Sequence, residues 1–151
     1  MGNLSLSISA KKVSETRLDI SARQFKFIAD EPEFLGGTDE GPNPLEYLLG
    51  GYAACLNVVA HIVAKEQNIQ FNNLEILITG NDLDPAKFQG QESNSRTGFQ
   101  SIDVQFNVDT NLDQETLDRW ISTVKDRCPA GDNLANSTPI KLSINQTVSA
   151  N

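Results

Sequence analysis

Apolar and polar positions alternate in two distinct periods along the chain. Leu4, Leu6 and Ile8 stand at every second place, which predicts a strand over Leu4–Ile8. Arg17-Leu18-Asp19-Ile20 continues that strand or pairs with it, and Gln24–Ala29 predicts another with Phe25, Phe27 and Ala29 on one face. Asp30-Glu31-Pro32 ends it, because proline has no N–H for a ladder and restricts the residue before it. The period then lengthens. From Pro44 to Gln67, Leu45, Leu48, Leu49, Tyr52, Val59, Ile62 and Val63 form a broad stripe at helical spacing. Leu74–Thr79 returns to strand character, Asn81–Gly98 reads as a polar loop or extended hairpin tip, and Phe99–Val108 alternates with Ile102, Val104, Phe106 and Val108 on one face. Leu117, Trp120, Ile121 and Val124 predict a second helix over Asp113–Arg127, broken by Cys128-Pro129. A short third helix over Asp132–Ala135 and a closing strand carrying Ile140, Leu142 and Ile144 complete the pattern.

Strands, a long helix, two strands, a helix and a strand give an α+β fold, since no strand–helix unit repeats as a doubly wound sheet requires. One domain over residues 1–151 is expected at this length. The sharpest boundary is the start of the long helix. Asn43 suits the cap, Pro44 the first turn, where its missing N–H is no loss, and Glu46 the position that bonds back to the cap. Within this helix Gly50, Gly51, Ala53 and Ala54 form a patch of small residues. Glycine in a helix interior costs about 1 kcal/mol relative to alanine, so the patch predicts close approach of another helix, within the molecule or between subunits.

A net charge of −8 changes the functional picture. It disfavours nucleic-acid binding and attachment to an anionic membrane, both of which need a basic face. No run is read as apolar over the roughly 20 residues of a membrane helix, and the N-terminus lacks the order of a secretory signal. The expected setting is cytoplasmic. Two cysteines 73 residues apart in a reducing compartment are no structural staple and no zinc knuckle. They are buried apolar residues or a functional pair.

Cys55 lies about three turns into the helix, beyond the reach of the helix dipole, so a thiolate there needs a cation from elsewhere. A small buried hydrophobe is the competing reading. Cys128 precedes Pro129 and can occupy the cap of the short helix, where backbone N–H groups favour a thiolate, so local physics alone nominates Cys128 as nucleophile. Glu46 lies about 180° around the helix from Cys55 and His61 about 120°, which excludes a direct dyad with either within one straight helix. One histidine with scattered carboxylates is a poor transition-metal set, and no cofactor is expected.

The run Gly36-Gly37-x-Asp39-x-Gly41-Pro42-Asn43-Pro44-x-Glu46-x-Leu48-Leu49 up to Ala54-Cys55, followed by Cys128-Pro129, resembles the OsmC/Ohr family of osmotically inducible and organic hydroperoxide resistance proteins over about residues 30–146. The resemblance implies an intertwined homodimer with long central helices wrapped by sheets. It implies a thiol-dependent peroxidase for organic hydroperoxides, with Cys55 attacking the peroxide, Cys128 resolving the product as a disulfide, and a dithiol, of lipoyl type in the better-known branch, as reductant. An arginine from the N-terminal strands, Arg17 or secondarily Arg23, would stabilise the thiolate, held by a glutamate near the helix start. In the peroxidase branch that glutamate directly follows Asn-Pro. Here Leu45 takes that place and Glu46 comes one later, as in the less characterised OsmC-like branch. A non-catalytic dimer that binds a small molecule in the same pocket is the alternative, and a scaffold with inert cysteines a third.

Overall fold

Residues 2–147 are described by the computed structural model. The N-terminal part is an antiparallel meander of β1 (Ser9–Lys12), β2 (Leu18–Ala22) and β3 (Phe25–Ala29), with Leu18 opposite both Lys12 and Ala29. A 3-10 turn over Glu33–Leu35 leads into the glycine-rich loop and then into α1 (Pro44–Glu66). After it come β4 (Asn73–Asn81), a one-turn helix α2 (Pro85–Phe88), β5 (Ser101–Asp109), α3 (Gln114–Arg127) and α4 (Pro129–Ala135). β4 and β5 pair antiparallel, with Leu74, Ile76 and Ile78 opposite Val108, Phe106 and Val104. Their alternation puts these side chains against one core.

That core is built on one face of α1. Leu56, Val59, Ala60, Val63 and Ala64 are buried against Trp120 and Val124 of α3, with Ile69 and Cys128. Burial of Trp120 leaves its indole N–H in need of an acceptor, and Nε1 donates to the carbonyl of Ala60 at 3.0 Å. The start of α1 forms as its sequence demands: Asn43 Oδ1 accepts from the N–H groups of Leu45 and Glu46, and Glu46 Oε2 accepts from Asn43 N at 2.8 Å. Tyr47 ties this end to the meander, donating from its hydroxyl to Ile28 O at 2.5 Å and packing on Phe27.

The loop before α1 is organised by a carboxylate. Asp30 is completely buried and accepts from the N–H groups of Glu31, Thr38 and Glu40 and from the Thr38 hydroxyl at 2.6 Å. These bonds, led by the Thr38 hydroxyl, hold Asp30 well below its ordinary value of 3.8 although burial opposes them. A depressed carboxylate stabilises the fold above the unfolded value and loses that contribution as the pH falls below it. Asp30→Asn is therefore expected to lower the melting temperature by several degrees at neutral pH, since an amide NH2 would face donors. The gap to the parent should narrow as the pH falls from about 4 into the acid, as thermal melts across pH would show.

Five expectations are corrected. Leu4–Ile8 and Ile140–Ile144 are not strands. Leu4, Leu6, Ile8, Ile140, Leu142 and Ile144 are all exposed, because the alternation is present but the single chain offers it no neighbouring strand. The third helix begins at Pro129 rather than Asp132, proline being suited to a first turn. The loop after β4 carries α2, capped by Asp84 through Ala86 N. Finally, α1 is long and apolar enough to cross a membrane by length and composition alone. Leu48, Leu49, Leu56, Val58, Val59, Ile62 and Val63 keep the average high, outweighing Asn57 and His61. One face of it nevertheless forms the core described above.

Candidate functional site

Two helix ends and the middle of α1 bring the cysteines together. Cys128 terminates α3 and caps α4, a junction enforced by Pro129. Cys55 lies on the stripe of α1 that packs against the core cluster containing Cys128. Both are free thiols, Cys128 buried and Cys55 partly exposed. Burial is the main influence raising the Cys128 pKa, and the neighbouring Cys55 sulfur adds to it, while the backbone N–H groups of Gly131 and Ala130 act in the opposite sense. The cap thus exerts the pull expected of it, and burial overrides it. Of the two sulfurs, that of Cys55 is the more accessible.

Tyr52, three residues before Cys55 and so on the same side of α1, was legible in the sequence only as part of an apolar stripe. Its pKa is raised by burial first, then by the charges that Cys128 and Cys55 would carry as thiolates. Its ring faces Gly131, where a Cβ would lie 3.1 Å from Cε2. Tyr52 and Gly131 also border a groove of about 350 Å³ lined by side chains from α1, the segment before β5, and α4.

The charged candidates lie elsewhere. Arg17 Nη1 donates to Glu40 Oε2 at 2.5 Å and Nη2 to Asp19 at 3.2 Å, and these pairings, Glu40 first, raise its pKa. Among the described residues Arg17 makes no ion pair with Glu46, whose carboxylate closes the α1 cap. Arg23 sits at the β2–β3 turn over the ring of Phe25 at 5.1 Å. His61 is exposed, bonded to Asn57 O at 2.8 Å and packed edge-on to Phe71. Arg127, next to Cys128 in sequence, makes a two-pronged pair with Glu66 that joins the ends of α1 and α3. Glu40 was missed by sequence reading, since nothing local marks a carboxylate 23 residues from its arginine.

Known proteins are similar to this chain in sequence and fold. The OsmC-like protein family matches residues 37–143. A hydroperoxide reductase of Mycoplasma pneumoniae is 26% identical over 111 residues, 74% of this chain and 74% of that protein. One of Mycoplasma genitalium is 28% identical over 109 residues, 72% of this chain and 73% of its own. The crystal structure of an OsmC-like protein from Mycoplasma pneumoniae superposes with a TM-score of 0.76 at 23% identity, covering 89% of each chain.

Proposed function

Because the chain belongs to the OsmC-like protein family, we propose that it is a thiol-dependent peroxidase that reduces organic hydroperoxides through Cys55 and Cys128. The observation that carries this reading is the pairing of an accessible thiol at Cys55 with a buried one at Cys128, both free and beside the same tyrosine. The relatives named hydroperoxide reductase support the substrate class.

The reaction follows from the positions. The Cys55 thiolate attacks the outer oxygen of the hydroperoxide, the O–O bond breaks, and the alkoxide leaves and takes up a proton to become an alcohol. Cys55 is then a sulfenic acid. The Cys128 sulfur, as thiolate, attacks the Cys55 sulfur, the S–O bond breaks, and the hydroxide leaves as water. The resulting disulfide is reduced by an external dithiol, which is itself oxidised to a disulfide. Burial raises the Cys128 pKa and so favours its thiol form, which suits a resolving rather than an attacking residue. Arg17 is the cation proposed to serve Cys55, although within one chain Glu40 and Asp19 hold it away from that sulfur. Glu40 positions that guanidinium, and Glu46 acts through the helix start it fixes.

A homodimer is part of this proposal, in the reducing cytoplasm. A Cβ added at Gly50 or Gly51 would meet no atom within 4 Å beyond the helix's own backbone, and Leu48, Val58 and Ile62 remain exposed on α1, as do the strand-patterned segments at both ends of the described chain. Such a surface, left open by one chain, suits a second copy wrapped around the first. Sedimentation should give the mass of two chains, and the mass of one chain would overturn this part.

Stopped-flow mixing of the reduced protein with cumene hydroperoxide tests the activity. Peroxide loss matched by thiol loss is expected. A protein that consumes no hydroperoxide with any dithiol, yet binds an apolar molecule tightly, would instead be a non-catalytic binding dimer.

A further inference from the structure

The groove beside Tyr52 has one charged residue in its lining, Arg96. Its apolar side is formed by Leu45, Leu48 and Tyr52 from α1, Phe99 just before β5, Ile102 and Leu134, while Gln100 and Ser101 add polar groups. Arg96 is exposed, and among the described residues its guanidinium makes no ion pair. Its recorded bond is through its carbonyl, which accepts from Gln100 Nε2 at 2.9 Å. The protein carries a net charge of −8, so most of its surface repels anions, and an uncompensated cation at an apolar groove is a local exception.

The groove's α1 wall lies on the stripe that leads to the Cys55 sulfur, which is itself not part of the lining. Leu45, Leu48, Tyr52 and Cys55 follow one another at three- and four-residue steps, so they form one stripe of α1, rising roughly 15 Å from Leu45 to Cys55. Phe99 closes the β5 side: its ring packs over Gly80, where a Cβ would come within 2.6 Å of it. Gly131 walls the α4 side and presents only hydrogen to the Tyr52 ring. A groove with an apolar α1 wall, one cation, and the nucleophile one helical turn beyond Tyr52 accepts a molecule with an anionic head, an alkyl body and a reactive group held apart from the head.

We infer that Arg96 is a specificity-determining residue, binding the carboxylate of an amphipathic hydroperoxide whose alkyl chain lies along Leu45, Leu48 and Tyr52 with its peroxide toward Cys55. This rests on the peroxidase reading for its chemistry, and the reaction is the one written above. The anchor adds binding, not a chemical step. A guanidinium–carboxylate bond at a partly open site changes affinity by about 10-fold.

The test uses the full chain with a dithiol and two substrates of equal length, an octanoic acid carrying a terminal hydroperoxide and its methyl ester. The parent is expected to turn over the acid with a kcat/KM about 10-fold above the ester. Arg96→Gln should remove that preference through KM, leaving kcat and the turnover of cumene hydroperoxide unchanged, and Arg96→Lys should restore part of it. Equal use of acid and ester by the parent, or an equal slowing of both in Arg96→Gln, overturns the inference while leaving the peroxidase intact. If no hydroperoxide is turned over, the peroxidase reading fails. Calorimetry with octanoate then reads the anchor alone, and octanoate binding that does not weaken in Arg96→Gln overturns it.

Discussion

Replacing Cys55 with serine is expected to abolish hydroperoxide turnover, lowering kcat/KM by at least about 10³-fold, because a serine hydroxyl without an adjacent base is no substitute for a thiolate. The fold should survive. Cys55 is partly exposed and close in size to serine, so a stability change within about 1 kcal/mol is expected from the exchange. Unchanged melting with lost turnover separates chemistry from structure. Cys128→Ser has a different expected signature. One equivalent of peroxide is still consumed, but the sulfenic acid at Cys55 persists, reacts with dimedone, and oxidises further under excess peroxide. Steady-state peroxide assays and mass spectrometry of the labelled protein distinguish the two variants.

Gly37→Ala is expected to be the most damaging single methyl group in the chain. A Cβ there would lie 1.7 Å from the carbonyl oxygen of Glu31 and 2.3 Å from its carbonyl carbon, both backbone atoms that no rotamer change can move aside. The loop cannot shift independently either. Gly37 N donates to Pro32 O, Asp39 N donates to Glu31 O, and the buried Asp30 carboxylate holds Thr38 and Glu40. Relief of the clash must break several of these bonds together, at a cost of about 3 kcal/mol or more. Because Glu40 rides on the same loop, the Arg17 pairing should loosen as well. Denaturant unfolding of Gly37→Ala would read the loss. A variant as stable as the parent would contradict the geometry of this loop.

What could be read from the chain follows from how local each feature is. Asn43, Pro44 and Glu46 specify the start of α1 within four residues, and the capping box forms as written. The alternation of Phe99–Val108 needed only its own period to place Ile102, Val104, Phe106 and Val108 on one face of β5. Leu4–Ile8 and Ile140–Ile144 have the same period, yet a strand exists only with a neighbour, and no local pattern supplies one. The capping role of Cys128 was legible from Pro129, whereas its burial was not, because that depends on α1 and α3 meeting around Val63, Trp120 and Val124. Asp30 read as the end of a strand. Its larger role as anchor of the Thr38–Glu40 turn required a fully buried carboxylate, which sequence alone does not reveal. Arg17 was found by its position before the glycine pair, but its partner Glu40 and the groove-side Arg96 were found only once the chain had folded.

The two-cysteine account is tested most directly by treating the fully reduced protein with one equivalent of cumene hydroperoxide and mapping the product by intact mass and non-reducing peptide analysis. The account predicts loss of two hydrogens and one new bond, Cys55 to Cys128 within one chain, opened again by a dithiol. Unmodified thiols at both positions after the peroxide is added, or oxidation confined to Cys128, would contradict it.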